Sequence, residues 1–285
     1  MTENVAISAS QIKDLRERTG VGMAKCKEAL EEAKGNMDEA IAILRKAGMA
    51  SAVKKQGREA KEGQVFVKET DKLIAFAEVN AETDFVAKNE RFQEFAKNVI
   101  DDVASSEPQT LESFMNQNFS KDPSLTIDQL RSLVIQTIGE NILVSRLAVW
   151  KKTPGHSYGI YSHMGGKIVT CVEISAPGQE ALAKDLAMHA AAAAPEYCSP
   201  QEVPQDIIEK EREIARGQVQ GKPAQIMDKI VEGKVNAFFD MTCLVKQKYV
   251  KDTSKTVEGV LSEQSKATGK EMTAVRFLRW MVGQA

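Results

Sequence analysis

The chain has 285 residues, 42% of them hydrophobic and 27% charged, with a formal net charge of -2. That length predicts two or more domains with real cores, and the mixed composition excludes a disordered or low-complexity chain. So balanced a charge demands neither nucleic acid nor an anionic membrane as partner, and no run approaches the roughly 18 apolar residues of a membrane-spanning helix.

The opening stretch MTENVAISAS has no basic segment followed by an apolar one, so no leader is expected and the cytoplasm is the expected location. Residues 8–48 then read as three short helices. In SASQIKDLRERTG the serines offer caps, Ile12 and Leu15 share a face, and Gly20 stops the helix. In VGMAKCKEALEEAKGN, Met23, Cys26, Ala29 and Leu30 have helical spacing and Gly35-Asn36 ends the run. MDEAIAILRKAG starts acidic and ends basic, the polarity that suits a helix dipole. None is long enough to be stable alone, so a small three-helix domain over residues 1–49 is expected. The basic, alanine-rich segment ASAVKKQGREAKEG, residues 50–63, reads as a solvated linker; an RNA-contacting arm through Lys54, Lys55 and Arg58 is the alternative.

After the linker the period shortens. QVFVKET and KLIAFAEV, joined by a polar turn, predict an antiparallel hairpin, and ERFQEFAKNVIDDVA returns to helical spacing with Phe92, Phe95, Val99 and Val103 aligned. LTIDQLRSLVIQTIG reads as a helix and NILVSRLAVW as a strand. The strand, strand, helix unit then recurs in HSYGIYS, KIVTCVEI and the alanine-rich QEALAKDLAMHAAAAA. Aligning EVNA (78–81) with EISA (173–176), and FAKNV (95–99) with LAKDL (182–186), predicts two related subdomains, residues 64–154 and 155–285. Ala81 lies fifteen residues before Ala96, whereas Ala176 lies seven before Ala183, so the first copy carries eight extra residues. They include Thr83-Asp84-Phe85-Val86. A segment that one copy folds without is a place to look for binding residues, although Thr83 or Asp84 also fits a helix N-cap with Phe85 as ordinary packing.

Within residues 200–240, DIIEKEREIARGQ and AQIMDKIVEGKVNAFF flank a Gly221-Lys222-Pro223 turn and read as a helical hairpin with Ile207, Ile214, Ile226, Ile230 and Phe238 along its seam. EMTAVRFLRWMVGQA closes a sheet as a last strand. The expected class is thus α+β. Cys26, Cys171, Cys198 and Cys243 lack metal-ligand spacing and read as reduced, mostly buried thiols. His156, His163 and His189 have no partner constellation. No phosphate-binding loop or dinucleotide fingerprint is present, so no cofactor, metal or catalytic residue is expected, and a duplicated-domain enzyme has no nameable active site.

Four segments, LRERTGVGMAKCKEAL, EVNAETDFVAKNERF, IGENI and SKTVEGVL, together closely resemble bacterial elongation factor Ts, in the same order and over nearly the whole chain. The resemblance implies a guanine-nucleotide exchange factor for the GTPase elongation factor Tu. It implies that the N-terminal helices form a ubiquitin-associated-like domain that docks on the GTPase, and that a coiled-coil hairpin projects from the second subdomain. It also implies that Thr83, Asp84, Phe85 and Val86 insert beside the partner's Mg²⁺ and phosphate site. Asp84 fits either a cap or a perturbant of the metal shell. Further partner contacts implied by the resemblance are Ile138, Gly139, His163, Arg16 and Met23. A homodimer or a two-to-two complex stays open, no direct nucleic-acid contact is expected, and an RNA-binding helper of translation is the alternative. Some members continue into a C-terminal helical module, whose contacts are not expected of a chain stopping at Val282-Gly283-Gln284-Ala285.

Overall fold

The structure, a computed structural model, describes residues 7–219 and 224–284. It divides into two compact units: one holds the described residues up to Lys152 together with Met281–Gln284, the other holds Thr153–Trp280. Both mix helices with antiparallel sheet, the α+β class expected from the sequence.

The first unit opens with α1 (Ala9–Thr19), α2 (Met23–Glu32) and α3 (Met37–Lys55). Ser8 and Gln11 form a capping box on α1, Gly20 ends it in the left-handed conformation, and Asn36 accepts from the amides of Asp38 and Glu39 to start α3. Leu15, Val21, Cys26, Leu30, Ala40 and Leu44 share one core, which Leu125 and Leu133 from farther along the unit complete. This shared core explains a departure from the sequence reading. The third helix does not stop near Gly48 but runs to Lys55, so the first part of the segment read as linker is helical. At Gly48 an added Cβ would lie 3.3 Å from the Ser132 carbonyl oxygen, and Ala52 is buried, so small residues let α3 lie close against a second helix. Its charged ends, Asp38 and Glu39 then Lys54 and Lys55, follow the helix dipole.

The sheet of this unit has β1 (Glu62–Glu69), β2 (Leu73–Ala81) and, farther along the chain, a third strand that pairs with the other edge of β2. Every residue of β2 is buried, as a central strand covered on both faces requires. A one-turn helix, α4 (Asp84–Ala87), and α5 (Glu90–Ser106) follow, and α5 lays Phe92, Phe95, Ala96, Val99 and Val103 into the core. Then come α6 (Leu111–Asn116), the short hairpin β3 (Asn118–Phe119) and β4 (Asp122–Thr126), α7 (Ile127–Ile138) and the third strand, β5 (Ile142–Lys151).

In the second unit β6 (Ser157–His163) pairs with β7 (Ile168–Ile174), and α8 (Glu180–Ala193) packs on them. A Cβ at Gly159 would sit 2.0 Å from the backbone carbon of Ala183, so only glycine admits α8 at this distance. The alanines of α8 serve the same close approach, with Ala183, Ala187 and Ala190 buried. Helices α9 (Gln205–Gln218) and α10 (Ala224–Thr242) form the expected hairpin, and its turn residues 221–223 lie outside the described residues. Its seam differs from the expected one. Ala215, Val219 and Val231 are buried with Met227 and Ile230 against them, whereas Ile214 and Ile226 are exposed. The hairpin β8 (Lys248–Tyr249) and β9 (Asp252–Thr256), then α11 (Val257–Thr268) and β10 (Ala274–Met281) as far as Trp280, complete the unit, with β10 on the free edge of β7.

The repeat therefore extends beyond what the sequence comparison found. Asn118–Gly139 and Lys248–Gly269 share an unbroken hairpin-then-helix pattern with Lys, Asp, Ser and Thr at equivalent places, and Thr126 and Thr256 cap the two helices alike. The sheets repeat as well, in the orders β1-β2-β5 and β6-β7-β10. Each central strand buries a glutamate against an arginine of the third strand: Glu78 with Arg146 Nε at 2.7 Å, and Glu173 with Arg276. Glu78 also accepts from the Gly283 amide at 2.8 Å, and Met281 O accepts from Arg146 Nη2 at 2.9 Å, which ties the last described residues to the first unit.

Candidate functional site

The insertion noted in the sequence is α4 together with the first turn of α5; in the second unit Ser175–Gln179 link strand to helix with no counterpart of α4. Extended backbone at Thr83 follows the buried end of β2, and the Thr83 hydroxyl accepts from the Val86 amide at 3.3 Å. Thr83, not Asp84, is the N-cap. Asp84 instead faces Lys88 across one helical turn, its Oδ2 accepting from Nζ at 2.9 Å, and being in the first turn it favours the helix dipole. Val86 packs against the main core and Ala87 is buried. Phe85 points the other way, with 81% of its surface exposed. Ordinary packing does not account for it.

The IGEN segment closes on the base of this turn. Gly139 caps α7 at φ +94°, a left-handed conformation that suits glycine, while Ile138 packs on the core. Glu140 then reaches Thr83: Oε2 accepts from its amide at 3.0 Å and Oε1 from its hydroxyl at 2.8 Å. Fully buried Asn141 donates its amide to Glu82 at 2.6 Å and its Nδ2 to the Arg58 carbonyl at 2.9 Å. The structure thus brings together Thr83, Asp84, Phe85 and Val86 with Ile138 and Gly139. Sequence reasoning missed Glu140, Asn141, Glu82 and Arg58 as supports. The available signal was a carboxylate and an amide directly after a helix-ending glycine.

The remaining expected contacts lie elsewhere. Arg16 on α1 is exposed, and Met23 at the start of α2 is 51% exposed. His163 belongs to the second unit, exposed at the β6–β7 turn, where its Nδ1 lies 3.0 Å from the Tyr161 hydroxyl; the next residue, Met164, is also exposed and has φ +49°. Two of the cations weighed as an RNA arm have partners within the fold. Lys55 Nζ donates to the Ile135 carbonyl at 3.3 Å, and Arg58 pairs with Glu82 at 3.4 Å. Burial, followed by the charges of Arg58 and Lys25, lowers the Lys55 pKa.

Among the described residues no group of three or more histidine, cysteine or acidic side chains is placed to hold a metal ion, and no helix is long and apolar enough to cross a membrane. All four cysteines are buried free thiols. Burial first, then the charges of Glu202 and Cys243, push the Cys198 thiol up to about 12, far from a nucleophilic thiolate. His189 is buried and pushed down by desolvation; its Nδ1 accepts from the Val250 amide at 3.2 Å and its Nε2 lies 3.0 Å from Gln247 Oε1, so this neutral ring is a structural support.

The profile of a family described as Elongation factor TS matches residues 82–284, more than half of the chain. The chain belongs to that family. Elongation factor Ts from Protochlamydia amoebophila (strain UWE25) is 60% identical over 280 residues, covering 98% of this chain and 99% of its own. Those from Chlamydia trachomatis serovar L2 and Chlamydia caviae are each 43% identical over 277 residues, covering 97% of this chain and 98% of theirs. The chain is thus a translation elongation factor. The α4 turn and the IGEN segment lie inside the profile match, and the relatives extend the likeness across the N-terminal helices.

Proposed function

We propose that this elongation factor binds elongation factor Tu in its GDP-bound state and promotes exchange of GDP for GTP by displacing Mg²⁺ and disturbing the phosphate site. The observation that carries the reading is Phe85: a large aromatic held in water at the tip of a capped turn on a buried strand. A rigid ring buries much area on contact for little side-chain entropy, which suits a wedge between groups that must separate. Family membership supports elongation factor Tu as the partner.

The physical basis is coupling. A GTPase retains GDP through phosphate-loop amides and Mg²⁺ acting together, so release is slow. A factor that prefers the nucleotide-free state by about 1.4 kcal/mol weakens nucleotide affinity about tenfold, and the nucleotide weakens the factor equally. Phe85 with Asp84 addresses the metal and phosphate side, Ile138 and Gly139 border the same turn, Arg16 and Met23 dock the N-terminal helices on the GTPase, and His163 adds a contact from the second unit. No covalent bond is made or broken, and the work is done in the cytoplasm.

Reciprocity supplies the test. Titration calorimetry is expected to give tighter binding to nucleotide-free elongation factor Tu than to its GDP complex. Equal affinity for the two states contradicts the reading, because a ligand without preference shifts no equilibrium.

A further inference from the structure

Helix α4 is four residues long, far below the length at which a helix persists by itself, so the pose of Phe85 depends on what holds the turn from outside. Val86 and Ala87 anchor its downstream side through packing. The upstream side is held by polar contacts, and both oxygens of one carboxylate supply them. Glu140 takes the Thr83 amide on Oε2 and the Thr83 hydroxyl proton on Oε1. With its proton directed there, the hydroxyl keeps its lone pairs for the Val86 amide, one of the free donors of the first turn. Without the carboxylate the hydroxyl can rotate, and the cap competes with water.

Glu140 is itself well placed to act as a fixed point. It follows the left-handed cap Gly139, whose amide donates to Ile135 O at 2.9 Å, and precedes the fully buried Asn141. Two consecutive residues of one turn thus grip two consecutive residues of the other: Glu140 accepts from Thr83, and Glu82 accepts from the Asn141 amide. We propose that Glu140 is a positioning residue for nucleotide exchange, holding α4 so that Phe85 is displayed before the partner arrives. The proposal rests on the exchange reading. Its physical content is preorganisation, in which the ordering cost of the turn is met in the free protein and binding need not supply it.

A positioning role predicts a loss in the maximal rate of GDP release more than in docking, and only while Phe85 is present. The experiment measures release of fluorescent GDP from elongation factor Tu against rising concentrations of wild type, Glu140→Ala, Glu140→Gln, Phe85→Ala and the Glu140→Ala/Phe85→Ala pair. Losing charge-assisted hydrogen bonds is expected to lower the maximal rate of Glu140→Ala about tenfold, with half-saturation changed by less than about twofold. Glu140→Gln falls between, since its amide keeps a single accepting oxygen. The double variant is no slower than Phe85→Ala. Amide hydrogen exchange at Val86 and Ala87 of the free protein quickens in Glu140→Ala while β2 stays protected, which separates a loosened turn from a misfolded chain. Wild-type kinetics for Glu140→Ala, or an equal slowing with and without Phe85, overturns the role of Glu140 alone. A wild-type chain without effect on GDP release overturns the exchange reading and this role with it.

Discussion

Phe85 leaves 81% of its surface in water, so its removal takes little from the folded state. Phe85→Ala is expected to change stability by less than about 0.5 kcal/mol, as exposed substitutions do, while slowing GDP release about tenfold or more. Thermal melting together with release kinetics checks both halves. Glu173 presents the opposite case. Burial raises its pKa, but hydrogen bonds from Tyr158 and His156 and the pairing with Arg276 outweigh that and hold it below its ordinary value. The unfolded chain then binds the proton more readily, so this stabilisation is complete above the ordinary value of 4.5 and lost as pH falls through the lower folded value. Arg276→Ala is expected to cost about 2 kcal/mol at neutral pH in urea unfolding, with the difference from wild type narrowing in acid. The motif around Phe85 was legible as an insertion, yet the choice of Thr83 over Asp84 as cap was not. Both residue types suit an N-cap, and the Glu140 carboxylate that also contacts Thr83 lies 57 positions away, a contact about which periodicity carries no information.

Packing between elements rests on positions where side chains had to be small. Gly159 admits α8 onto β6, and a methyl group there meets backbone at 2.0 Å. Gly159→Ala is therefore expected to destabilise the second unit by about 3 kcal/mol or more, because backbone cannot swing aside as a side chain can. Equilibrium unfolding would show this as a lowered midpoint. The His189 ring joins α8 to the β8–β9 hairpin through Gln247 and the Val250 amide. The unfolded chain protonates this imidazole more readily than the fold does, so stability is expected to fall as pH drops through the ordinary value of 6.5. A His189→Gln variant should lose that slope in unfolding measured between pH 7.5 and pH 5.5. Elements with a long period, such as α5 with its four aligned apolar residues, were legible in the sequence. The two-residue strands β3 and β8 were not, being too short to show alternation. The α9–α10 seam was misread because Ala215 and Val219 pack inward where Ile214 looked the better candidate.

At the scale of the whole chain, the two units repeat one arrangement and differ in what they present. Both keep a three-stranded sheet, a hairpin-capped helix and a buried Glu–Arg pair, features that a fold must satisfy wherever it is used. They differ at the strand-to-helix link, where the first copy presents α4 and the second runs directly from β7 to α8, and only the turn of the first displays an aromatic ring. The duplication was legible because its strands and helices repeat in pattern. The sharing of the N-terminal core with Leu125 and Leu133 was hidden, since the contacts join segments far apart in the chain. The most direct test is stopped-flow release of fluorescent GDP from elongation factor Tu in excess unlabelled nucleotide. The expected result is a release rate that rises with wild-type concentration and far less with Phe85→Ala at matched occupancy; a rate indifferent to the wild-type chain would contradict the exchange function.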